Sequence, residues 1–331
     1  MPWNAINTIK NKNPAAGGGV NWVAVGTGSI ISNSINGTSW SGVPVATRGN
    51  LTRGRGVAYG KDGNGSGLWV AVGDGTPPIV KSSDGNNWSP VDASGGLTMA
   101  YGVAYGKDNL GSGLWVAVGD GTKIATSPDG NIWTDVPAAS LGGIGTGRGI
   151  AYGNGRWVAV SPGPKIVTSI TGKNWAATAP YGTLGSNAYS VAYGNGEWVV
   201  VGNGGGIPIV KSPSGTAWSD ATTISYAVNT LYGVAYGNGR WVALGDTGGN
   251  NKIYSSITNG DTWAQSANPG SFTGYNGLGV AYGNGLWVAV GDIMSLCMVT
   301  SNNGTNWNAV PVISLGGLTS GYGVAFKNEI L

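Results

Sequence analysis

Seven copies of one short apolar sequence, WVAVG or a close variant, begin at Trp22, Trp69, Trp115, Trp157, Trp198, Trp241 and Trp287. They recur every 41 to 47 residues, and a fixed period of that length marks a structure made by stacking one unit. A second tryptophan follows each copy by 18 to 22 residues, at Trp40, Trp88, Trp133, Trp175, Trp218, Trp263 and Trp307, so only Trp3 stands outside the scheme. Another apolar run precedes six of the copies: GVAYG from Gly56, Gly102, Gly233 and Gly279, GIAYG from Gly149 and SVAYG from Ser190.

Each unit thus holds four short strands: A (VAYG), B (WVAVG), C (such as KIATS) and D, which starts at the second tryptophan. Asn154-Gly155, Asn195-Gly196, Asn238-Gly239 and Asn284-Gly285 join A to B in blades four to seven, and Asn-Gly is the strongest short hairpin signal because both residues accept positive φ. Blades two and three lengthen that turn to KDGNGSG and KDNLGSG. Four antiparallel strands at this period predict an all-β chain, a seven-bladed β-propeller of four-stranded blades, rather than a helical solenoid with a 3.6-residue apolar period.

No VAYG-like run precedes Trp22; the missing strand appears instead as GVAF, 323–326, after the last full repeat. The expected closure makes the C-terminal strand the A strand of the N-terminal blade, which leaves few free sheet edges. The chain then divides into an N-terminal arm, 1–19, and one propeller, 20–331. Its blades fall at about 20–46 plus 322–326, 55–92, 101–137, 148–179, 189–223, 232–267 and 278–313.

Composition agrees with this and narrows the function. Glycine fills 63 positions and charged residues only 9%, while tryptophan and tyrosine recur at intervals that a disordered chain lacks. A formal charge of +3 without a basic block excludes non-specific binding to nucleic acid. With no histidine and a single cysteine, Cys297, the sequence carries no internal disulfide, no cysteine-based metal cluster and no cofactor motif. No stretch reaches the length of a membrane span, and MPWNAINTIKNKNP has no apolar signal region, so the chain is expected to stay where it is made or to travel by a route the sequence does not show.

Alternation places Trp69 and Ala71 on one face of strand B and Val70 and Val72 on the other, as blades stacked face to face require. The B-strand tryptophans are therefore core, with the D-strand set nearer the rim. Between C and D, SSDGNNW (82–88) and SPDGNIW (127–133) resemble the Asp-box, or BNR, motif of sialidase-type propellers, S-x-D-x-G-x-x-W. Six of the seven copies are one residue shorter than that pattern; Asn36, Thr171, Ser214, Thr258 and Asn303 replace the acid, and SITNGDTW in blade six has the full length without Asp. The resemblance covers all seven repeats and implies a propeller in which the box is structural and lies away from the ligand face. Any of these side chains can accept backbone N–H bonds that pin a tight turn. The same turn chemistry explains the N-x-S/T sequons at Asn36, Asn64 and Asn303, and Asn50 occupies another.

D-to-A and B-to-C connections emerge on one face of such a disc, and that face carries the variable segments 41–55, 176–188 and 264–277. The residues just before each strand A should ring the mouth of the central channel there: Arg55, Tyr101, Arg148, Tyr189, Tyr232, Leu278 and Tyr322. Of these, Arg55, Tyr101, Arg148, Tyr189, Tyr232 and Tyr322 are the candidate ligand-binding residues, able to stack on a sugar or a partner's side chains. Packing against the long loops is the alternative. Asp74, Asp120, Asp246 and Asp292 follow strand B, with Asn203 in blade five; they are read as caps of their own turns, with calcium binding through oxygen ligands as the other reading.

A sialidase also needs an arginine triad and a glutamate that activates a tyrosine. Arg156 and Arg240 lie by A-to-B hairpins on the opposite face; Glu197 lies in another such hairpin and Glu329 in the tail, which leaves Arg48, Arg53, Arg55 and Arg148 without a glutamate. GNGGG (202–206) lacks the lysine and helix of a phosphate loop. The sequence therefore predicts no catalytic and no metal residues, and a binding or structural module that presents its loop face to a protein in a larger assembly or to a surface glycan. A looser likeness to propeller proteins of large DNA viruses and environmental bacteria suggests a particle-surface or capsid-associated part, at a virion or extracellular surface. Trp3, Lys10 and Lys12 would then form an arm that docks on a neighbour or caps the disc. Photosystem assembly factors built on Asp-box propellers illustrate a third role, a chaperone-like scaffold, and a carbohydrate-binding lectin is the alternative to a protein binder.

Overall fold

A computed structural model describes residues 19–328 except 29, 122, 179–183, 205, 226–227, 247–250, 267–276 and 293–296. The expected arm up to residue 18, with Trp3, Lys10 and Lys12, and Glu329 therefore lie outside the described residues, as do parts of the segments 176–188 and 264–277 and of GNGGG. Seven sheets, each with an antiparallel A-B-C-D core, form the blades of a propeller, as the repeat predicts. Strand A is innermost and D outermost. The four Asn-Gly hairpins have φ of 46° to 50° at Asn and 72° to 79° at Gly, the doubly positive pair that a two-residue turn between twisted strands needs.

The ring closes where the sequence places the closure. Strand B of blade one, Trp22–Gly28, pairs antiparallel with Leu318–Phe326, setting Trp22 opposite Phe326 and Val25 opposite Gly323. The Lys327 N–H then donates to the Asn21 carbonyl at 2.7 Å, and the Trp22 and Phe326 rings lie 4.7 Å apart.

Seven apolar clusters hold the disc, one at each interface between neighbouring blades. Val70 and Val72 of blade two face Trp115 and Ala117 of blade three, and Val288 and Val290 of blade seven face Trp22 and Ala24 of blade one by the same rule. All seven B-strand tryptophans are at most 1% exposed, and the D-strand set is equally core, from 1% at Trp307 to 9% at Trp218. At Trp40, Trp88, Trp133, Trp175 and Trp263 a strip of chain that the four-strand reading omits completes the cover. The D-to-A connection of one blade runs parallel to strand D of the next, as in the pairing of Ala93 and Ser94 with Ile132 and Trp133, of Thr223 and Ile224 with Thr262 and Trp263, and of Leu315 with Trp40. Sheet edges left open would template association with another chain, and in these five blades the strip covers them. In consequence 41–55 is not all loop: Val45–Thr47 forms one helical turn and Leu51–Lys61 is a single strand that begins ahead of Arg55.

The C-to-D turns are pinned by side chains that accept backbone N–H bonds, as their residue types predict. In each, a buried serine hydroxyl accepts the N–H of the glycine that follows, as Ser82 does from Gly85 and Ser301 from Gly304 at 2.8 Å. In six of the turns the side chain two places after the serine accepts two more N–H bonds, whether it is the carboxylate of Asp84, the amide of Asn303 or the hydroxyl of Thr171, while in blade six Thr258 accepts one. Burial alone would raise the Asp84 carboxyl, but hydrogen bonds from Asn87, Asn86 and Ser82 outweigh it and lower the pKa from 3.8 to about 2. A carboxyl lowered by folding contributes stability that is complete above its unfolded value and lost as pH falls through the folded one. The difference in urea midpoint between the wild type and Asp84→Asn is therefore expected to be constant at neutral pH and to shrink as pH falls from 3.8 to about 2. A difference that ignores pH would assign the turn no charge-dependent stability.

Candidate functional site

The inner strands converge so closely that six of the seven axial positions are glycine, with Ser190 in blade five: a Cβ on Gly56 would lie 2.8 Å from the Tyr101 carbonyl, and one on Gly323 would lie 2.9 Å from that of Arg55. Two rings of side chains result, one above the other. Val57, Val103, Ile150, Val191, Val234, Val280 and Val324 form an apolar girdle, and Arg55, Tyr101, Arg148, Tyr189, Tyr232, Leu278 and Tyr322 form the mouth. Apart from Arg55, which stands at the rim, these residues line one cavity of about 180 Å³ together with the axial glycines and Ser190. The six candidate ligand residues are thus brought together, each half-buried. The girdle went unread in the sequence, although its signal is the β-branched residue at the second position of every GVAYG.

The mouth residues brace one another. The Tyr101 ring lies beneath the guanidinium carbons of Arg55 and Arg148, at 4.7 and 4.1 Å from the ring centre, in contacts that favour a cation over an aromatic face. Tyr189 and Tyr232 lie 5.1 Å apart at an angle of 42°, and Arg53 approaches Tyr322 at 5.9 Å. Burial first, then the neighbouring Tyr189 and Asp246, raise the Tyr232 phenol above its ordinary value.

Asp74, whose turn is described in full, does not cap it, contrary to expectation; Asp74, Asp120 and Asp292 reach sideways to the mouth. Asp74 accepts from Arg55 Nε and, at 3.1 Å, from its Nη2, with Arg53 at 3.9 Å. Asp120 accepts from the Tyr101 hydroxyl at 3.3 Å and from Thr146 at 2.6 Å, and Asp292 accepts from Ser320 at 2.7 Å. Polar side chains stand within reach of these three carboxylates and donate to them. In blade five Asn203 substitutes, accepting the Asn187 N–H at 2.7 Å. Burial acts to lower the Arg55 guanidinium, and Asp74, with Tyr101 and Tyr322, reverses that and leaves it raised. No group of three histidine, cysteine or acidic residues that could hold a metal occurs among the described residues.

Other charged candidates stand elsewhere. Arg156 and Arg240 donate to Thr168 and Ser255 within their own blades, beside the A-to-B turns. Glu197 is 9% exposed on that same side, where burial raises its carboxyl against the pull of Lys211, which itself pairs with Asp261 at 3.2 Å. A fork of two hydrogen bonds between partly buried groups couples more strongly than an exposed pair. A double-mutant cycle of Arg55→Met and Asp74→Ala, followed by chemical denaturation, is expected to give a coupling of about 1 kcal/mol or more. Coupling near zero would make the fork incidental to the mouth.

No family model matches the sequence, and neither does any curated protein. Among solved structures, the chain is similar to YCF48 from Cyanidioschyzon merolae at 17% identity, covering 83% of this chain and 89% of that one with a TM-score of 0.57. A structure of YCF48 bound to D1 peptide matches at 20% identity over 73% and 78% of the two chains, TM-score 0.51. The GH74 xyloglucanase from Xanthomonas campestris matches at 15% identity over 90% of this chain and 53% of its own, TM-score 0.58, so the chain spans about half that enzyme's length. None of these three is a viral component. At such identities the likeness establishes the fold alone: a seven-bladed propeller with structural neighbours of the sialidase-like type.

Proposed function

We propose that the chain is a non-catalytic binding module whose loop face, centred on the tyrosine- and arginine-lined mouth, receives a segment of a protein partner within a larger assembly. The carrying observation is the mouth itself: half-buried aromatic and cationic side chains braced above an apolar girdle, on a ring that cannot easily deform. A concave apolar site with a few convergent polar groups is the usual form of a binding pocket. Three of the four carboxylates nearest the mouth are committed to holding Arg55, Tyr101 and Ser320, which leaves them poorly placed for acid-base work. YCF48, a propeller of similar fold, takes a peptide, and that supports a polypeptide partner.

A carbohydrate ligand is the second reading. It is favoured by the Tyr189 and Tyr232 pair, whose tilted faces suit stacking on a sugar, and by the fold shared with a xyloglucanase. Peptide and glycan arrays probed with the purified chain separate the two. Binding to peptides is expected, with the Tyr189→Ala, Tyr232→Ala double variant weakening it by about tenfold or more, the loss typical of a buried aromatic anchor. Lys173→Ala, on the opposite face, is expected to bind as the wild type does. Retention by the double variant would remove the mouth from the site, and turnover of a glycoside substrate would overturn the non-catalytic reading.

A further inference from the structure

Among the charged residues of the mouth, Arg148 differs from the rest. Arg55 and Arg53 share Asp74, whereas Arg148 forms no ion pair and no side-chain hydrogen bond among the described residues. Its Nε is buried without a partner, an arrangement rare in native interiors. Asp120, which accepts from the tyrosine on which Arg148 rests, is occupied by Tyr101 and Thr146. The guanidinium is nevertheless held in place, stacked at 4.1 Å on a tyrosine that Asp120 fixes from the other side, and it lines the cavity above the valine girdle. A second guanidinium, that of Arg55, stands at 4.7 Å on the same ring, so this side of the mouth is cationic while the opposite side, Tyr189, Tyr232 and Leu278, is aromatic and apolar.

From this we infer that the mouth recognises a carboxylate, seated on the free terminal nitrogens of Arg148, and that the carboxylate belongs to a polypeptide, as a chain end or an acidic side chain whose remaining atoms rest on Tyr189 and Tyr232. A planar fork with unused donors fits a planar carboxylate two bonds at a time, and a partly dehydrated cavity strengthens those bonds. A cavity of about 180 Å³ has room for one side chain. The inference rests on the loop face being the binding face.

Titration of the full chain with N-acetyl-alanyl-alanine, its C-terminal amide, and glucuronic acid, followed by nuclear magnetic resonance, tests it. The free acid is expected to saturate the wild type and the control Arg156→Gln, with the amide about tenfold weaker or worse. Arg148→Gln is expected to abolish the preference for acid over amide. Arg148→Lys, which keeps the charge and loses the fork, is expected to retain part of it, and it secures the test if the glutamine variant does not fold. Equal binding of acid and amide, or an unchanged preference in both variants, would overturn the inference, as would tighter binding of glucuronic acid, which would point to an acidic glycan. Loss of array binding on changing Tyr189 and Tyr232, alongside an indifferent Arg148, would sink the carboxylate while leaving the binding face in place.

Discussion

The structure depends on one contact made seven times: a tryptophan and a small residue on strand B of one blade, set against two branched aliphatic residues on strand B of the blade before it. Large faces small, so the two sheets interdigitate at the density of a protein interior. Blade five alters the small partner, with Val200 in place of alanine, yet keeps Trp198 against Val158 and Val160. Burying a side chain as large as tryptophan removes some 150 to 250 Å² from water. A single blade has no such partner for either face, so blades are stable only as members of the closed ring, and this makes the pairing of Trp22 with Phe326 a condition for the whole disc.

A second contact fixes the angle between wedges. The tyrosine of each VAYG lies against the B-strand tryptophan of its own blade, with centroids 4.8 to 5.0 Å apart, and the glycine after it makes room for the tyrosine of the next blade. A Cβ at Gly60 would collide with the Tyr105 ring. At the closure Phe326 takes the place of tyrosine and stacks on Trp22 in the same way. The tetrad VAYG is therefore one instruction in four letters: a channel-lining valine, a small alanine, a ring for the home blade and a gap for the neighbour's ring.

That economy explains what could be read from the sequence. The seven-fold period, the alternation of Trp69 and Ala71 with Val70 and Val72, the Asn-Gly hairpins and the closure by 323–326 are all local patterns repeated, so each copy corroborates the others. The strip that pairs Leu315 with Trp40 was not legible, because its sequence changes from blade to blade and its partner lies in the following repeat. The same applies to Asp74 and Asp120. A turn aspartate ordinarily bonds its own backbone, and only the arrival of Arg55, Tyr101 or Thr146 from another connection redirects it. Local chemistry was visible; competition from residues distant in sequence was not.

What distinguishes one sector of the disc from another is where the repeat fails. Four of the seven mouth positions are tyrosine, and the exceptions, Arg55, Arg148 and Leu278, give a symmetric scaffold an asymmetric opening. Cationic residues gather on blades two and four around Tyr101, and the apolar exception falls on blade seven, across the channel. A ring of identical positions could present only a pattern repeated about the axis, and such a pattern cannot tell one orientation of a ligand from another. Breaking the repeat at the mouth while keeping it in every wedge interface leaves the stacking of blades to the repeated tetrads and, on the proposed function, places discrimination in the few side chains that do not enter those interfaces.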